Sequence, residues 1–439
     1  MSKFVRTRLS AMMFLFYFAL GSWAVTLSTY LMSAPSLGGL NFTTAEVGWI
    51  YSTFAFGGMA APLFIGLLAD RLFRAERVLG VASLGCAVML MVAGWWCDAN
   101  FSRVTEIYQT IQATVPIDSI NDDPMLRQVV ADVFWPLFGM MLVYSFCLQL
   151  GLTLTTVITL RNLHDPIRGF SRLRMWGTIG WIVTGNVVGI LLVPVSPQPL
   201  YLAALASGIT GIYAFTLPAT RPKGFGKSVS QILGLPALKL FKDRSFGIFV
   251  GIAFMSTAMN QFYGLYAHRY LTDLGVPKPE QVLTLGQVCE VVCMFLIPML
   301  HPKKHLKTLM LVGLAGWVVR GFALTYGSVP IILMFGVPMH GWSYAFFFVV
   351  AATYLDREAP AHLRASAQGI ISFVSSGFGN WIGNTFAGYV VEQHKVGNSF
   401  DWQPIWLVPL FGCSISLLIF LLFFHAPPDR TLPKPINDN

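Results

Sequence analysis

Residues 283–300 read LTLGQVCEVVCMFLIPML, and seventeen of these eighteen residues carry no charge. A helix that crosses a bilayer needs about 20 consecutive, mostly apolar residues. The stretch is therefore typical of a membrane-spanning helix. Its single carboxylate, Glu290, lies near the middle of the run, where an ionisable side chain is expensive and usually functional.

The composition extends this interpretation to the whole chain. Of 439 residues, 55% are hydrophobic and only 11% are charged, whereas a soluble domain has about 25% charged residues. The mean hydropathy of +0.63 points the same way. The six cysteines lack CxxC spacing and five of them lie in apolar runs, so no disulfide framework is expected.

Twelve apolar runs have the length of spanning helices. They lie at residues 9–32, 47–69, 78–96, 134–160, 174–194, 199–218, 247–271, 280–300, 308–326, 330–352, 367–391 and 405–425. The first run is longer than a signal-peptide core and has no small-residue cleavage pattern, so it is predicted to be retained. Regular alternation of polar and apolar residues is missing, and we therefore predict an all-α polytopic membrane protein.

Lysine and arginine predict the orientation. If the N-terminus is cytoplasmic, 23 of the 29 basic residues fall in or beside cytoplasmic segments, as the positive-inside rule requires. We expect a multi-pass protein of the cell (inner) membrane with both termini in the cytoplasm. The net charge of +9 then reflects topology, and nucleic acid is not expected as a partner.

The spans divide into six and six around a basic segment. We predict an N-terminal half at 1–218, a cytoplasmic linker at 219–246, a C-terminal half at 247–425 and a cytoplasmic tail at 426–439. Two six-helix halves are the plan of a transporter that binds substrate at their interface. Residues 97–133 are predicted to form a polar outside loop with a short surface helix, or alternatively a lid over the outer mouth.

Glu290 is the strongest candidate for function. Of the twenty acidic residues, nineteen fall in predicted loops or at span ends, and only Glu290 is near mid-membrane. Gln287 lies one helical turn earlier on the same face. Since desolvation favours the protonated form of a carboxylate, Glu290 could carry a proton or accept hydrogen bonds from a hydroxylated substrate. The alternative is a structural ion pair with Arg320 in the next span.

Two further spans combine aromatic rings with polar groups. MNQFYGLYAHRYL (259–271) contains Gln261, and PMHGWSYAFFF (338–348) contains His340 and Tyr344, four residues apart on one face. Rings with a few amides suit a flat substrate that bears hydroxyl groups. The alternative is that these aromatic residues only pack the bundle.

Two other motifs have mainly structural interpretations. In GLLADRLFRAER (66–77), Asp70 and Arg71 could hold a conformational gate by ion pairing, or could belong to a plain charged loop. SSGFGNWIGN (375–384) has small residues that allow close helix contact, and we interpret it as packing, with the roles of Asn380 and Asn384 left open.

Four stretches together resemble the nucleoside:proton symporter family of the major facilitator superfamily. They are GSWAVTLSTYLM (21–32), RMWGTIGW (174–181), LRASAQGIISFVSSGFGNWIGNTFAGYVVE (363–392) and DWQPIWLV (401–408). The likeness covers nearly the whole chain except 97–133. It implies the twelve-helix major facilitator fold and proton-coupled uptake of nucleosides.

The resemblance also implies a substrate site on the fifth, seventh, eighth and tenth spans. The residues at the matching positions are Arg174, Thr178, Trp181, Gln261, Gln287, Glu290, His340 and Tyr344. Trp181 replaces a family phenylalanine, His340 a tyrosine and Tyr344 a phenylalanine. Gly264 stands where the family has a second amide, and Ala345 where it has an aspartate. Glu290 is thereby left as the membrane acid for proton coupling.

We therefore predict a secondary active transporter that moves nucleosides inward with protons by alternating access. Alternatives are a sugar or drug carrier of the same fold, an uncoupled uniporter and a non-transporting sensor. An enzyme is not expected, because HExxH, GxSxG and P-loop patterns are missing. We expect a monomer in the lipid bilayer without cofactor or metal, its partners being the small-molecule substrate and the proton.

Overall fold

Helices cover all twelve predicted spans. The computed structural model describes residues 3–67, 72–116, 120–121, 123–163, 166–222, 230, 235–300, 306–358, 360 and 363–425. The first six spans are α1 (Lys3–Ala24 and Leu27–Met32), α2 (Thr44–Leu67), α3 (Ala75–Gln112), α4 (Pro124–Asn162), α5 (Pro166–Leu191) and α6 (Gln198–Ala214). The other six are α7 (Arg244–Asp273), α8 (Pro279–Val282 and Thr284–Leu300), α9 (Leu306–Tyr326), α10 (Val329–Glu358), α11 (Arg364–Gln393) and α12 (Trp402–Phe423).

By length and composition, eight helical segments in the described part of the chain are apolar enough to cross a membrane. α6 is one of those that fall short, because it has 17 residues. The prediction of an all-α, multi-pass membrane protein is confirmed.

Two spanning helices contain wider, π-type turns. In α10 these turns lie at Ile332–Gly336 and Tyr344–Val349, and in α11 at Phe373–Gly379. Such turns are frequent at functional sites. His340 sits on the short α-helical piece Pro338–Ser343 between the two wide turns of α10.

The described residues of 97–133 form mostly helix and not the predicted loop. α3 and α4 contain 38 and 39 residues, so each is roughly 57 Å long and exceeds the ~30 Å hydrocarbon layer. Most of the polar stretch is therefore the continuation of these two helices. Arg103 bonds Asp132 across the pair at 2.9 Å, and Arg127 donates to the carbonyl of Asn41 at 2.9 Å.

Helices α1–α6 pack mainly on one another, as do α7–α12, and within the described residues three pairs make the main contacts between the two groups. These pairs are α2 with α11, α5 with α8, and α1 with α7. Glycines let the backbones approach: a Cβ on Gly48 would lie 2.6 Å from the carbonyl oxygen of Asn384, and one on Gly388 would lie 2.6 Å from that of Thr44.

Direct hydrogen bonds between the two groups are concentrated at the end of the bundle that is predicted to face outward. Ser28 Oγ donates to the carbonyl of Leu265 at 2.5 Å, and Thr44 Oγ1 donates to Glu392 Oε2 at 2.7 Å. Tyr266 adds a bond from its hydroxyl to the carbonyl of Thr44 at 3.0 Å. We call this the outer end, and it is closed by these contacts.

The segment between the two groups is partly outside the described residues, and the tail at 426–439 is wholly outside them. Leu235–Lys242 forms a 3₁₀ helix that packs against α7 and the start of α11. A two-stranded antiparallel hairpin, β1 (Lys395–Val396) and β2 (Ser399–Phe400), links α11 to α12 with Lys395 opposite Phe400.

Candidate functional site

A cavity of about 320 Å³ lies between the two groups of helices, on the inner side of the closed outer end. Most of its wall is aromatic or aliphatic, including Trp23, Tyr51 and Trp181 from the first group. Its polar wall comes chiefly from α7, α8, α10 and α11 in the second group. A mainly apolar cavity with a few convergent polar groups is the usual form of a small-molecule site.

Several amides face this cavity, and two amide oxygens have no partner. Gln287 Oε1 and Asn384 Oδ1 are buried without a hydrogen bond, and both residues line the cavity. Gln261 Nε2, in contrast, donates to Asn380 Oδ1 at 2.8 Å. An unpaired buried acceptor costs roughly 1–3 kcal/mol, so rotation of either amide toward a hydrogen-bond donor in the cavity would recover that energy.

The His340 ring borders the cavity and is held in place by Tyr263 and Arg320. Its imidazole stacks on Tyr263, with the ring centroids 4.9 Å apart. Arg320 Nη1 lies 3.4 Å from His340 Nδ1 and donates to Asn260 Oδ1 at 2.9 Å. Because a guanidinium can only donate, Nδ1 is the acceptor and the imidazole proton is on Nε2. The interpretation of Arg320 as an ion-pair partner of Glu290 is therefore not supported.

Glu290 belongs to a set of predicted site residues that do not line the cavity, and it lies one helical turn farther along α8 than Gln287. Arg174 and Tyr344 lie within electrostatic range of Glu290. Neither an ion pair within 4.0 Å nor a hydrogen bond joins the Glu290 carboxylate to any residue in the described ranges. Arg174 instead lies over the ring of Tyr17, 4.1 Å from its centroid. The carboxylate is thus free to accept a proton or a substrate hydroxyl.

Close packing holds Glu290 in position. Gly341 of α10 lies directly against the carbonyl oxygen of Gly286 and the backbone nitrogen of Glu290. No larger residue fits at position 341, so α8 and α10 approach closely at the height of the carboxylate. His340 and Glu290 are thereby held on adjacent faces of two helices in contact.

The structure divides the eight predicted site residues into two groups. Trp181, Gln261, Gln287 and His340 line the cavity. Arg174, Thr178, Glu290 and Tyr344 are not among its lining residues. Thr178 is buried on α5 between Arg174 and Trp181, whereas Tyr344 is 40% exposed. The proposed gate residues Asp70 and Arg71 lie outside the described residues.

Sequence reasoning missed several polar residues near this cavity. Asn380 and Asn384 line it; their segment was interpreted as packing, and the roles of these two amides were left open. Glu280 was placed at a span end, yet its side chain is only 2% exposed and lies 3.2 Å from His268 Nε2. A histidine in one span and an acid at the start of the next was the available signal.

Comparison with known proteins identifies the family of this chain. The sequence model of the family described as "Nucleoside H+ symporter" matches residues 3–111 and 123–429. The xanthosine permease of Escherichia coli (strain K12) is 30% identical over 450 residues, covering 97% of this chain and 98% of that protein. Nucleoside permease NupG of the same organism is 24% identical over 433 residues and covers 94% of each chain.

A solved structure of nucleoside transporter NupG superimposes with a TM-score of 0.77 at 24% identity, covering 96% of this chain and 100% of that one. This likeness shows the predicted fold. The sequence resemblance is confirmed by the family match, which spans nearly the whole chain. The family is one of transporters and not of enzymes. The chain belongs to the nucleoside H+ symporter family of membrane transporters.

Proposed function

We propose that this protein carries nucleosides into the cell together with protons, by alternating access, as a monomer in the inner membrane with both termini in the cytoplasm. One observation carries the proposal: a cavity between the two groups of helices has unpaired amide oxygens, and an unpartnered carboxylate lies one turn away. The unpaired amides suit a hydroxylated cargo, and the free carboxylate suits a proton.

The chemistry of the cavity wall fits a nucleoside. Its aromatic residues, among them Trp181 and the stacked pair of Tyr263 and His340, offer flat surfaces to a base. Gln287 and Asn384 offer acceptors to ribose hydroxyls or base N–H groups. His340 offers an Nε2–H donor, because Arg320 occupies its other nitrogen.

Glu290 is the proposed coupling site. We propose that it binds a proton and accepts hydrogen bonds from the ribose, while Arg174, Thr178 and Tyr344 close the site from the inner side. Coupling requires that the nucleoside bind more tightly to the protonated form; equal affinity for both forms would give no linkage. Arg174 lies over the ring of Tyr17 and forms no ion pair with Glu290, which leaves the carboxylate open to a proton.

The closed outer end supports a direction of exit. Bonds such as Ser28 to Leu265 and Thr44 to Glu392 block the path from the cavity to the outside. In this conformation a nucleoside would leave toward the inner side, past Glu290 and Arg174. On release, the nucleoside and the proton would therefore both pass Glu290 and Arg174.

The test is uptake by the purified protein in proteoliposomes, with a panel of nucleosides, nucleobases and sugars, with and without an inward proton gradient. Xanthosine belongs in the panel because a relative bears its name. We expect at least one nucleoside to accumulate against its gradient only when the outside is more acidic. Accumulation of sugars alone, or uptake of nucleosides indifferent to the gradient, would contradict the proposal.

A further inference from the structure

A second acid lies at the outer end, on the same helix as Glu290, and it is more deeply buried than Glu290. Glu280 Oε2 is 3.2 Å from His268 Nε2, and the two side chains are 2% and 3% exposed. His268 is on α7 and also lines the cavity, whereas Glu280 is in the first turn of α8. The pair thus lies between the cavity and the outside.

The pair is also a contact between the two groups of helices. From α1, Thr29 Oγ1 forms a hydrogen bond with His268 Nδ1 at 2.8 Å. From α5, Gly189 lies against the Glu280 carboxylate so closely that a Cβ there would be 3.1 Å from Glu280 Cδ. Gly185, one turn away, faces the backbone of Glu280 in the same way. When the outer end opens, these contacts must separate.

We propose that His268 and Glu280 form a second proton-binding site of the transport cycle, distinct from Glu290, which takes up a proton as the outer end closes. This inference rests on the proposed proton-coupled transport of nucleosides. It adds one proton to the one carried at Glu290.

The hydrogen bonds permit either charge state of the imidazole. With a neutral ring, His268 Nε2–H donates to the Glu280 carboxylate and the Thr29 hydroxyl donates to Nδ1. When a proton from water binds Nδ1, the Thr29 hydroxyl rotates and accepts from it, so no contact is lost. The ring is then an imidazolium beside a carboxylate, and their attraction is strong because both are buried. Protonation therefore stabilises the closed outer end.

Other charged groups around the pair already have partners or lie on its edge. Arg269 donates to Asp273 Oδ1 at 2.7 Å, and Glu392 of α11 accepts from Thr44. Lys278 precedes α8 as its N-cap residue. The outer halves of α1 and α5 contain no charged residue. Within the described ranges, His268 is therefore the titratable group that bonds Glu280.

The location gives the proton a direction. In the closed state the outer contacts separate His268 from the outside, while its ring still borders the cavity. Its proton can then leave only through the cavity toward the inner side. Once His268 is neutral, the outer end loses the ion-pair attraction and the empty carrier opens outward more readily. Both effects favour movement of a proton in the same direction as the nucleoside.

The experiment measures the steady-state nucleoside accumulation ratio in proteoliposomes with the outside one pH unit more acidic and the membrane potential clamped to zero. Each coupled proton multiplies the maximal ratio by about ten. We expect a ratio of about 100 for the wild type, about 10 for His268→Gln and about 10 for Glu280→Gln. His394→Gln is the control, since that imidazole bonds the carbonyl of Val390 away from the pair, and it should match the wild type.

The outcomes separate this inference from the function on which it rests. A wild-type ratio of about 10 that both variants retain would overturn the second site and leave coupled transport intact. A ratio of about one in the wild type would overturn both. Exchange of labelled nucleoside without a gradient checks that each variant folds; if His268→Gln loses it, Glu280→Gln, which keeps the side-chain shape, decides the question.

Discussion

Glu280 and Glu290 lie on one helix, about 15 Å apart along its axis, and their surroundings differ. Glu280 is sealed between His268 and Gly189 where the two groups of helices meet. Glu290 has no bonded partner in the described part of the chain, and the charge of Arg174 reaches it only through space. Glu280 is fully buried, whereas Glu290 is only partly buried. The bond between Glu280 and His268 stabilises one conformation of the protein. The Glu290 carboxylate, in contrast, can still accept hydrogen bonds from the cargo.

The largest effect is expected when the Glu290 carboxylate loses its charge. Glu290→Gln should reduce the accumulation ratio by about tenfold per unit of pH gradient, because one coupled proton is lost. Exchange of labelled nucleoside across the membrane should persist, since it needs no net proton movement. Full pH-driven accumulation by this variant would refute the proton role of Glu290.

A large effect is also expected when the buried Glu280 carboxylate is displaced. Gly189→Ala places a methyl group against Glu280, and overpacking of this kind costs about 1–3 kcal/mol. We expect the outer end to open. A single-cysteine reporter at Val25, a cavity residue, would detect this opening. Its labelling by an impermeant thiol reagent should become at least fivefold faster.

Gly139→Ala is the matched control for this prediction, because a Cβ at Gly139 meets no atom within 4 Å. It should leave labelling at the reporter unchanged. Equal labelling in Gly189→Ala and Gly139→Ala would mean that contact with Glu280 does not hold the outer end closed.

A moderate effect is expected at the cavity, where neither acid is altered. Gln287→Ala removes an unpaired acceptor and should weaken nucleoside binding by about 1.5 kcal/mol, or roughly tenfold. The proton dependence of uptake should remain, because Glu290 is intact. Thermal-shift titration with the best substrate measures the change, and an unaltered affinity would remove Gln287 from the site.

The smallest effect is expected at the hydroxyl that bonds His268. Thr29→Val removes one hydrogen bond at constant shape and should shift the outer end toward opening by about threefold, from a loss of roughly 0.7 kcal/mol. Thr29→Ser keeps the hydroxyl and should behave as the wild type in the same labelling assay. If Thr29→Ser opened the outer end as far as Thr29→Val, the bond to His268 would be irrelevant.

The membrane architecture could be predicted from sequence because apolar length sets it. All twelve predicted spans contain helix. The ends of α3 and α4 could not be predicted in this way, since a polar helix that leaves the bilayer gives the same hydropathy as a solvated loop. The contact of Arg103 with Asp132 was likewise invisible, because these residues lie on different helices.

The site was predictable only in part. Gln261, Gln287 and His340 were found because polar residues in apolar runs are rare, and each of them lines the cavity. Glu280 was missed because an acid at a span end normally meets water. Its burial depends on Gly189 in another helix, and a single sequence does not report such contacts. The same limit made Arg320 seem a partner of Glu290.

The central claim is that nucleoside and proton meet at Glu290. It is tested most directly by the pH dependence of nucleoside Kd in the purified protein, wild type against Glu290→Gln. Binding that requires the protonated carboxylate should tighten as pH falls, by up to about tenfold per unit. The account predicts this slope in the wild type and its loss in Glu290→Gln. A Glu290→Gln variant that keeps the wild-type slope would contradict it.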